Sequence, residues 1–261
     1  TFIALVAVFL LYKSTHTEGK GKSFLEIGRS MVKVFMNFRL LILILIISGF
    51  WMIQSQMYAT MPKYVIRLIG ESASPGWYAN VNPLVVFVLV NFITSLMKKR
   101  SAISSMMIGM IIIPLSALVM SFGNQIGGAY IAGMHPVAFM MIVGIAMQAI
   151  AECFISPRFL EYFSLQAPKG EEGLYLGFSH LHSFFSYLFA FGLSGFLLEK
   201  YCPDPRLFTN AEGVLDTVGY SAATEHAHHI WYVFVGIGAT SAIALFIYSK
   251  VVKKLDKKKN R

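Results

Sequence analysis

Six nearly uncharged runs set the terms for this chain: Leu40 to Met61, Tyr78 to Met97, Ala102 to Phe122, Pro136 to Pro157, Leu174 to Leu198 and Ile230 to Ser249. A shorter apolar run, Thr1 to Tyr12, precedes them. Each full run has the roughly 20 residues that a helix needs to cross a bilayer core. A soluble domain of this length buries a large core without repeating apolar stretches of that size. The solvent of these runs is therefore lipid, and backbone amides in lipid have to be satisfied within their own segment, which selects helices. The expected fold is all-α: a polytopic membrane helical bundle of six full transmembrane helices plus the end of a seventh. Composition agrees, with 56% hydrophobic residues, 13% charged residues and a mean hydropathy of +0.62.

The net charge of +9 raises the question of nucleic acid. The basic residues, however, sit in short clusters between apolar runs and not on a soluble face, so no nucleic-acid partner is expected. Their distribution orients the chain instead. If the segment from Lys13 to Arg39 faces the cytoplasm, the inner segments hold eighteen of the 22 Lys and Arg, including Lys98, Lys99, Arg100, Arg158 and Lys169. The outer ones hold four: Lys63, Arg67, Lys200 and Arg206. This predicts a multi-pass protein of a plasma or bacterial inner membrane with a cytoplasmic C-terminus.

The organisation follows: 1–12 as the end of a membrane helix, 13–39 as a cytoplasmic linker, 40–249 as the six-helix bundle and 250–261 as a basic cytoplasmic tail. Thr1 opens inside an apolar run with no initiator Met and no basic stretch before it, so the run reads as part of a fragment and not as a signal peptide. Within the linker, Phe24, Leu25, Ile27, Met31, Val32, Phe35 and Met36 recur at roughly helical spacing among basic residues, which predicts an amphipathic helix on the inner leaflet. An ordinary solvated linker is the plainer alternative. The polar stretch from Lys200 to His229 reads as irregular outer surface. The two cysteines, Cys153 in an apolar run and Cys202 in a polar loop, are expected at different depths and unpaired.

Polar groups inside the runs are where function is sought. Gln148, Glu152 and Ser156 recur every fourth residue and are expected to project from one face. If the helix continues past Pro157 to Gln166, Glu152 falls near its midpoint, where a carboxylate costs about 2.5 to 3.5 kcal/mol to insert. It must then face protein or a watery cavity, carrying a proton or holding a substrate amine; the bland alternative is a buried hydrogen-bonded strut. Ser179, His182, Ser183 and Ser186 share a face of the next run, with His180 and Tyr187 turned aside. His182 is a candidate for proton exchange, against an ordinary inter-helix contact with a hydroxyl. Trp51, Gln54, Ser55 and Tyr58 combine an aromatic wall with hydrogen-bonding groups, a pattern shared by pockets and by plain packing. Asn80, Asn82 and Pro83 mark a kink near the outer end of their run, because proline withholds a backbone donor.

His226, His228 and His229 crowd the start of the last run and have the chemistry of divalent-metal ligands, but apart from Glu225 no Cys or carboxylate accompanies them. An interfacial role without metal is the expectation. The chain has no phosphate-binding Gly loop, zinc-protease pattern or nucleophile elbow, so neither enzyme activity nor a cofactor is expected.

The stretch Ala151-Glu152-Cys153-Phe154-Ile155-Ser156-Pro157, followed by Leu165-Gln166-Ala167-Pro168 and Gly173 to Gly177, resembles the tenth helix and following loop of proton-coupled oligopeptide transporters of the major facilitator superfamily. Phe50-Trp51, Gln54 and Gln56 are similar to that family's seventh helix, and Asn82-Pro83 to the start of its eighth. The resemblance implies that the six runs are the last six of twelve helices, with Thr1 to Tyr12 the end of the sixth, around a central cavity that opens by rocking of two bundles. It implies that Glu152 binds a peptide amino group and that Trp51 and Ser183 line the pocket. Two departures stand out: Ser55 where the family usually has a carboxylate, and Ser179 where a tryptophan is common.

The resulting expectation is a secondary active transporter, a proton-coupled symporter of peptides or related small amine-containing solutes. Its partners would be that solute and protons, the lipid bilayer and the N-terminal half of the transporter. Substrate contacts are assigned to Glu152, Trp51, Ser183, Ser156, Gln148, Ser179, His182, Gln54, Ser55 and Asn82, and proton coupling to Glu152 and His182. The alternatives are a non-transporting membrane subunit and a seven-helix receptor, the latter weakened because its last helix lacks a mid-membrane Lys for retinal.

Overall fold

A computed structural model describes residues 2–11, 24–126 and 130–259 and divides into two units, Thr1–Met36 and Asn37–Arg261. The first unit holds α1, Phe2–Leu11, and α2, Phe24–Phe35. Along α2 the helical period sets Arg29, Ser30 and Lys33 on one side and Met31, Val34 and Phe35 on the other. Lys13, Gly19, Lys20, Gly21 and Lys22 of the linker lie outside the described residues.

The second unit carries six helical spans long and apolar enough to cross a membrane: Phe38–Ala59, Pro75–Met97, Ala102–Phe122, Pro136–Gln166, Glu172–Phe208 and Thr217–Lys258. Large apolar side chains are open on their outer faces, Phe87, Phe92, Phe184, Phe189 and Phe246 among them. Patches of that extent suit lipid and not water. The protein is therefore all-α and reads as a multi-pass membrane protein.

Several run boundaries shift, each for a physical reason. The first span is α3, Phe38–Gln54, and α4, Gln56–Ala59, followed directly by α5, Met61–Ile69. The helix outlasts Met61 because Met61, Tyr64 and Val65 still bury one face while Lys63 and Arg67 take the other, a pattern that hydropathy averages away. The second span is α6, Pro75–Ala79, and α7, Val81–Met97, joined at Asn80. Pro83 has no N–H for the Ala79 carbonyl and its ring crowds that carbonyl, so the turn at Asn80 tightens, with the Asn80 N–H bonding Trp77 O at 3.2 Å. The third span, α8, Ala102–Phe122, and the fourth, α9, Pro136–Gln166, are continuous. Pro157 interrupts one hydrogen bond in α9 without ending it, so the helix runs nine residues beyond the expected Pro157.

The fifth span divides at His180 into α10, Glu172–Ser179, and α11, Leu181–Tyr201. The last is α12, Thr217–Thr224, and α13, His229–Lys259. Helix α13 runs on through the basic residues to Lys259, lysine being a good helix former. The stretch from Lys200 to His229 is also more ordered than expected. A 3₁₀ turn at Pro205–Phe208 and α12 both start from aspartate caps, Asp204 to the Arg206 N–H at 3.0 Å and Asp216 to the Gly219 N–H at 3.0 Å.

Alternating direction puts two sets of contacts at opposite ends. At the basic end, Arg39, expected in the linker, sits in the first turn of α3 and pairs with Asp256 of α13. Arg158, counted among the inner basic residues, is buried within α9. It pairs with Glu161 at 2.5 Å and donates to Met97 O at 3.0 Å and to Arg100 O, which ties α9 to the end of α7 and the turn after it. At the loop end, Arg67 donates to Cys202 O at 2.6 Å and Tyr220 to Arg67 O at 2.9 Å.

Helix α9 packs on α7 and α8, α8 on α13, and α3 on both α13 and α11. Small residues permit the close α8–α9 crossing: a Cβ on Gly109 would fall 2.6 Å from Ala151 O, and one on Gly123 2.8 Å from Val137 Cα.

Candidate functional site

Glu152 is the seventeenth of the 31 residues of α9, and its carboxyl is half-buried. One oxygen, Oε2, accepts from Gln54 Nε2 at 2.9 Å and from Asn82 Nδ2 at 3.1 Å. Gln54 ends α3 beside the joint at Ser55, and Asn82 opens α7 just past the joint at Asn80. Three spans therefore converge on one carboxyl. Among the described residues no Lys, Arg or His forms an ion pair with it. Two neutral amides satisfy lone pairs without supplying the positive charge that would fix the group as a carboxylate. Such a carboxyl is chemically able to take up a proton or to meet an external cation.

Toward the basic end, two turns along α9, Phe159 meets His182, with ring centroids 5.3 Å apart. The imidazole also meets Trp51, at 5.1 Å and a 35° tilt. His182 Nδ1 lies 2.6 Å from Ser179 O, which can only accept, so Nδ1 carries a proton. In the neutral ring Nε2 then accepts from Ser183 Oγ at 3.2 Å. This side chain also accounts for the joint at His180. It occupies the carbonyl that the Ser183 N–H would use in a regular helix, and that N–H turns to His180 O at 2.9 Å.

A second polar line fastens α3 and α4 to α11. Ser186 Oγ donates to Ser48 O at 3.0 Å, and Thr60 Oγ1 lies 2.5 Å from Gln56 Oε1 and 2.7 Å from Ser194 Oγ. The Gln56 oxygen can only accept, so Thr60 donates to it and receives from Ser194. This line is buried throughout and reads as inter-helix fastening.

The expected site residues therefore separate. Glu152, Gln54 and Asn82 form one cluster, and Trp51, His182, Ser183 and Ser179 a second. Gln148 is turned away: fully buried, it points its amide at Met120 of α8, with Nε2 3.8 Å from Sδ. Four residues advance a helix by 400°, so each fourth residue drifts about 40° and eight residues separate Gln148 from Ser156 by about 80°. Ser55 bonds Met52 O of its own helix at 2.9 Å, and Ser156 is half-buried, its hydroxyl making no hydrogen bond among the described residues. Phe159 was not singled out by sequence, although its spacing of seven from Glu152 puts it on the same face.

At the loop end a cavity of about 320 Å³ is lined by Leu68, Asn124, His135, Tyr220 and Thr224. It lies apart from Glu152, and its walls carry no carboxylate. His226, His228 and His229 gather at the start of α13, where one ring nitrogen of each lies within 4.8 Å of those of the others.

No family model matches the chain, and no curated protein matches it significantly.

Proposed function

We propose that this bundle belongs to a secondary active transporter that carries peptides or related small amine-containing solutes together with a proton. It works by alternating access against a second bundle. The observation that carries the reading is Glu152: a half-buried carboxyl midway along a membrane-length helix, held by Gln54 and Asn82 and without a cation among the described residues. An ionisable group costs too much at that depth to be idle packing, and its open partner position suits an ammonium or a proton. The adjacent Trp51–His182–Ser183 cluster supplies the aromatic wall and hydrogen-bonding groups that a small polar solute needs. At 100 mV one inward proton supplies about 2.3 kcal/mol, enough for roughly fiftyfold accumulation of a neutral solute.

The test is uptake of labelled di- and tripeptides and small amines into liposomes holding this bundle together with the second one, driven by an inward proton gradient. Glu152→Gln retains an oxygen for both amides but cannot exchange a proton, so gradient-driven uptake should fall to background. Undiminished uptake with an unchanged pH profile, or no uptake by the unaltered protein, removes the reading.

A further inference from the structure

We propose that His226, His228 and His229 form a binding site for a divalent transition-metal cation of the zinc class, where the turn after α12 enters α13. The local backbone builds it. Successive bonds from His229 N to His226 O at 2.9 Å, Ile230 N to Ala227 O at 3.2 Å and Trp231 N to His228 O at 3.0 Å wind the entry as three-residue turns. Residues three apart eclipse in such a turn, and the His226 and His229 rings lie parallel, with centroids 5.0 Å apart and planes within 4°. His228 stands across them, its centroid 4.6 Å from that of His229.

The turn is anchored from behind. Ala227, Ile230 and Trp231 are fully buried, which leaves the imidazoles on the open side, His226 exposed and the other two half-buried. Asn124 of the α8 end donates to Thr224 O at 3.3 Å and to Glu225 O at 3.2 Å, and Gln125 to Tyr232 Oη at 2.7 Å. The rings are thus held together by packing and not by bonds to one another. His228 Nδ1 is buried and makes no well-formed hydrogen bond, with the Glu225 backbone as its nearby polar neighbour.

Imidazole nitrogens bind zinc at about 2.0–2.1 Å, which sets two ligands of a tetrahedral ion roughly 3.3 Å apart. The ligand atoms now lie within 4.8 Å of one another, and the parallel His226 and His229 rings would have to turn so that their in-plane lone pairs converge on one ion. Three imidazoles leave a fourth position for water or an outside ligand. Neutral nitrogen donors select Zn²⁺, Ni²⁺ or Cu²⁺ over Mg²⁺ and Ca²⁺, which take oxygen. This inference is independent of the transport reading, since the three histidines belong to neither cluster at Glu152 or His182.

The experiment is calorimetric titration of ZnCl₂ into the chelator-stripped protein in detergent, without a histidine tag, with MgCl₂ and CaCl₂ as controls. The expected result is one zinc per chain and no binding of the controls. His226→Ala and His229→Ala should each weaken zinc at least as much as the roughly 10- to 100-fold typical of losing a mere supporting partner of a ligand. His226 is exposed, so its variant is expected to fold, and the unfolding midpoint of each metal-free variant checks this. No zinc binding by the unaltered protein overturns the proposal, as does undiminished binding by a folded His226→Ala/His229→Ala double variant.

Discussion

Arg39 and Asp256 stand 217 residues apart in the chain and meet in a parallel two-pronged pair, Nη1 to Oδ1 at 3.0 Å and Nη2 to Oδ2 at 3.0 Å. The pair joins the first turn of α3 to the far end of α13. Tyr248 adds a bond from its hydroxyl to Arg39 O at 3.1 Å. The side chains are 33% and 53% exposed, so solvent screens the attraction and the pair stabilises by about 1 kcal/mol or less. Asp256→Asn should lower the thermal unfolding midpoint slightly, and the exchanged variant Arg39→Asp/Asp256→Arg should recover most of the loss. A loss of several kcal/mol would mean that the pair is shielded from water.

The two amides on Glu152 should behave as parts of one network. Gln54→Leu and Asn82→Leu each remove a donor to the carboxyl and should cost about 1–3 kcal/mol of stability. In a Glu152→Leu background the same substitutions should cost much less, because the acceptor is gone. Reversible unfolding in mixed detergent measures the four corners of each cycle; strict additivity would show that the contacts carry no coupling.

Gly109→Ala should destabilise the crossing of α8 and α9. The new methyl would meet Ile155 Cγ1 at 2.5 Å and Ala151 O at 2.6 Å, and a helix carbonyl cannot swing aside. An overpacking cost of about 1–3 kcal/mol is expected. Gly144→Ala should be milder, since its first obstacle is the flexible Met120 side chain. Comparing the two unfolding midpoints tests the ranking.

His135 gives stability a pH dependence of definite sign. Its Nδ1 accepts the Val137 N–H at 3.2 Å at the start of α9, which requires an unprotonated Nδ1, and burial lowers its pKa below the ordinary 6.5. The native protein then binds fewer protons here than the unfolded chain. The contribution is fully present above pH 6.5 and is lost as pH falls through the lowered native value. His135→Asn keeps a capping oxygen that does not titrate, so its midpoint should fall less than that of the unaltered protein between neutral and mildly acid pH. Parallel curves would show that His135 does not contribute.

The six spans were legible because a bilayer imposes a length that few other structures require. Their ends were harder to read. The segment from Lys250 onward looks like a solvated tail by hydropathy, yet its lysines favour helix and α13 simply continues. The burial of Arg158 could not be read, because its partners include the Met97 and Arg100 carbonyls, and backbone carbonyls leave no trace in sequence. At the site, Glu152 announced itself as a lone carboxyl in an apolar run. Gln54 and Asn82 were each visible as polar residues, but their convergence depends on how α3 and α7 lie against α9. Gln148 points to α8 for a simpler reason: fourth-residue spacing drifts around a helix, and the drift turns its amide toward Met120.

Helix α7 packs on α9 through Ile93, Met97 and Cys153 and leaves most of its remaining surface open. Two polar tethers fix it to α9, Asn82 on Glu152 and the Met97 carbonyl on Arg158. A ligand that displaced the Asn82 amide would release one tether and leave the other as a pivot. Over the roughly 22 Å between them, a tilt of about 5° would move the freed end by about 2 Å, a lever arm in which a contact with one oxygen becomes a motion at the rim.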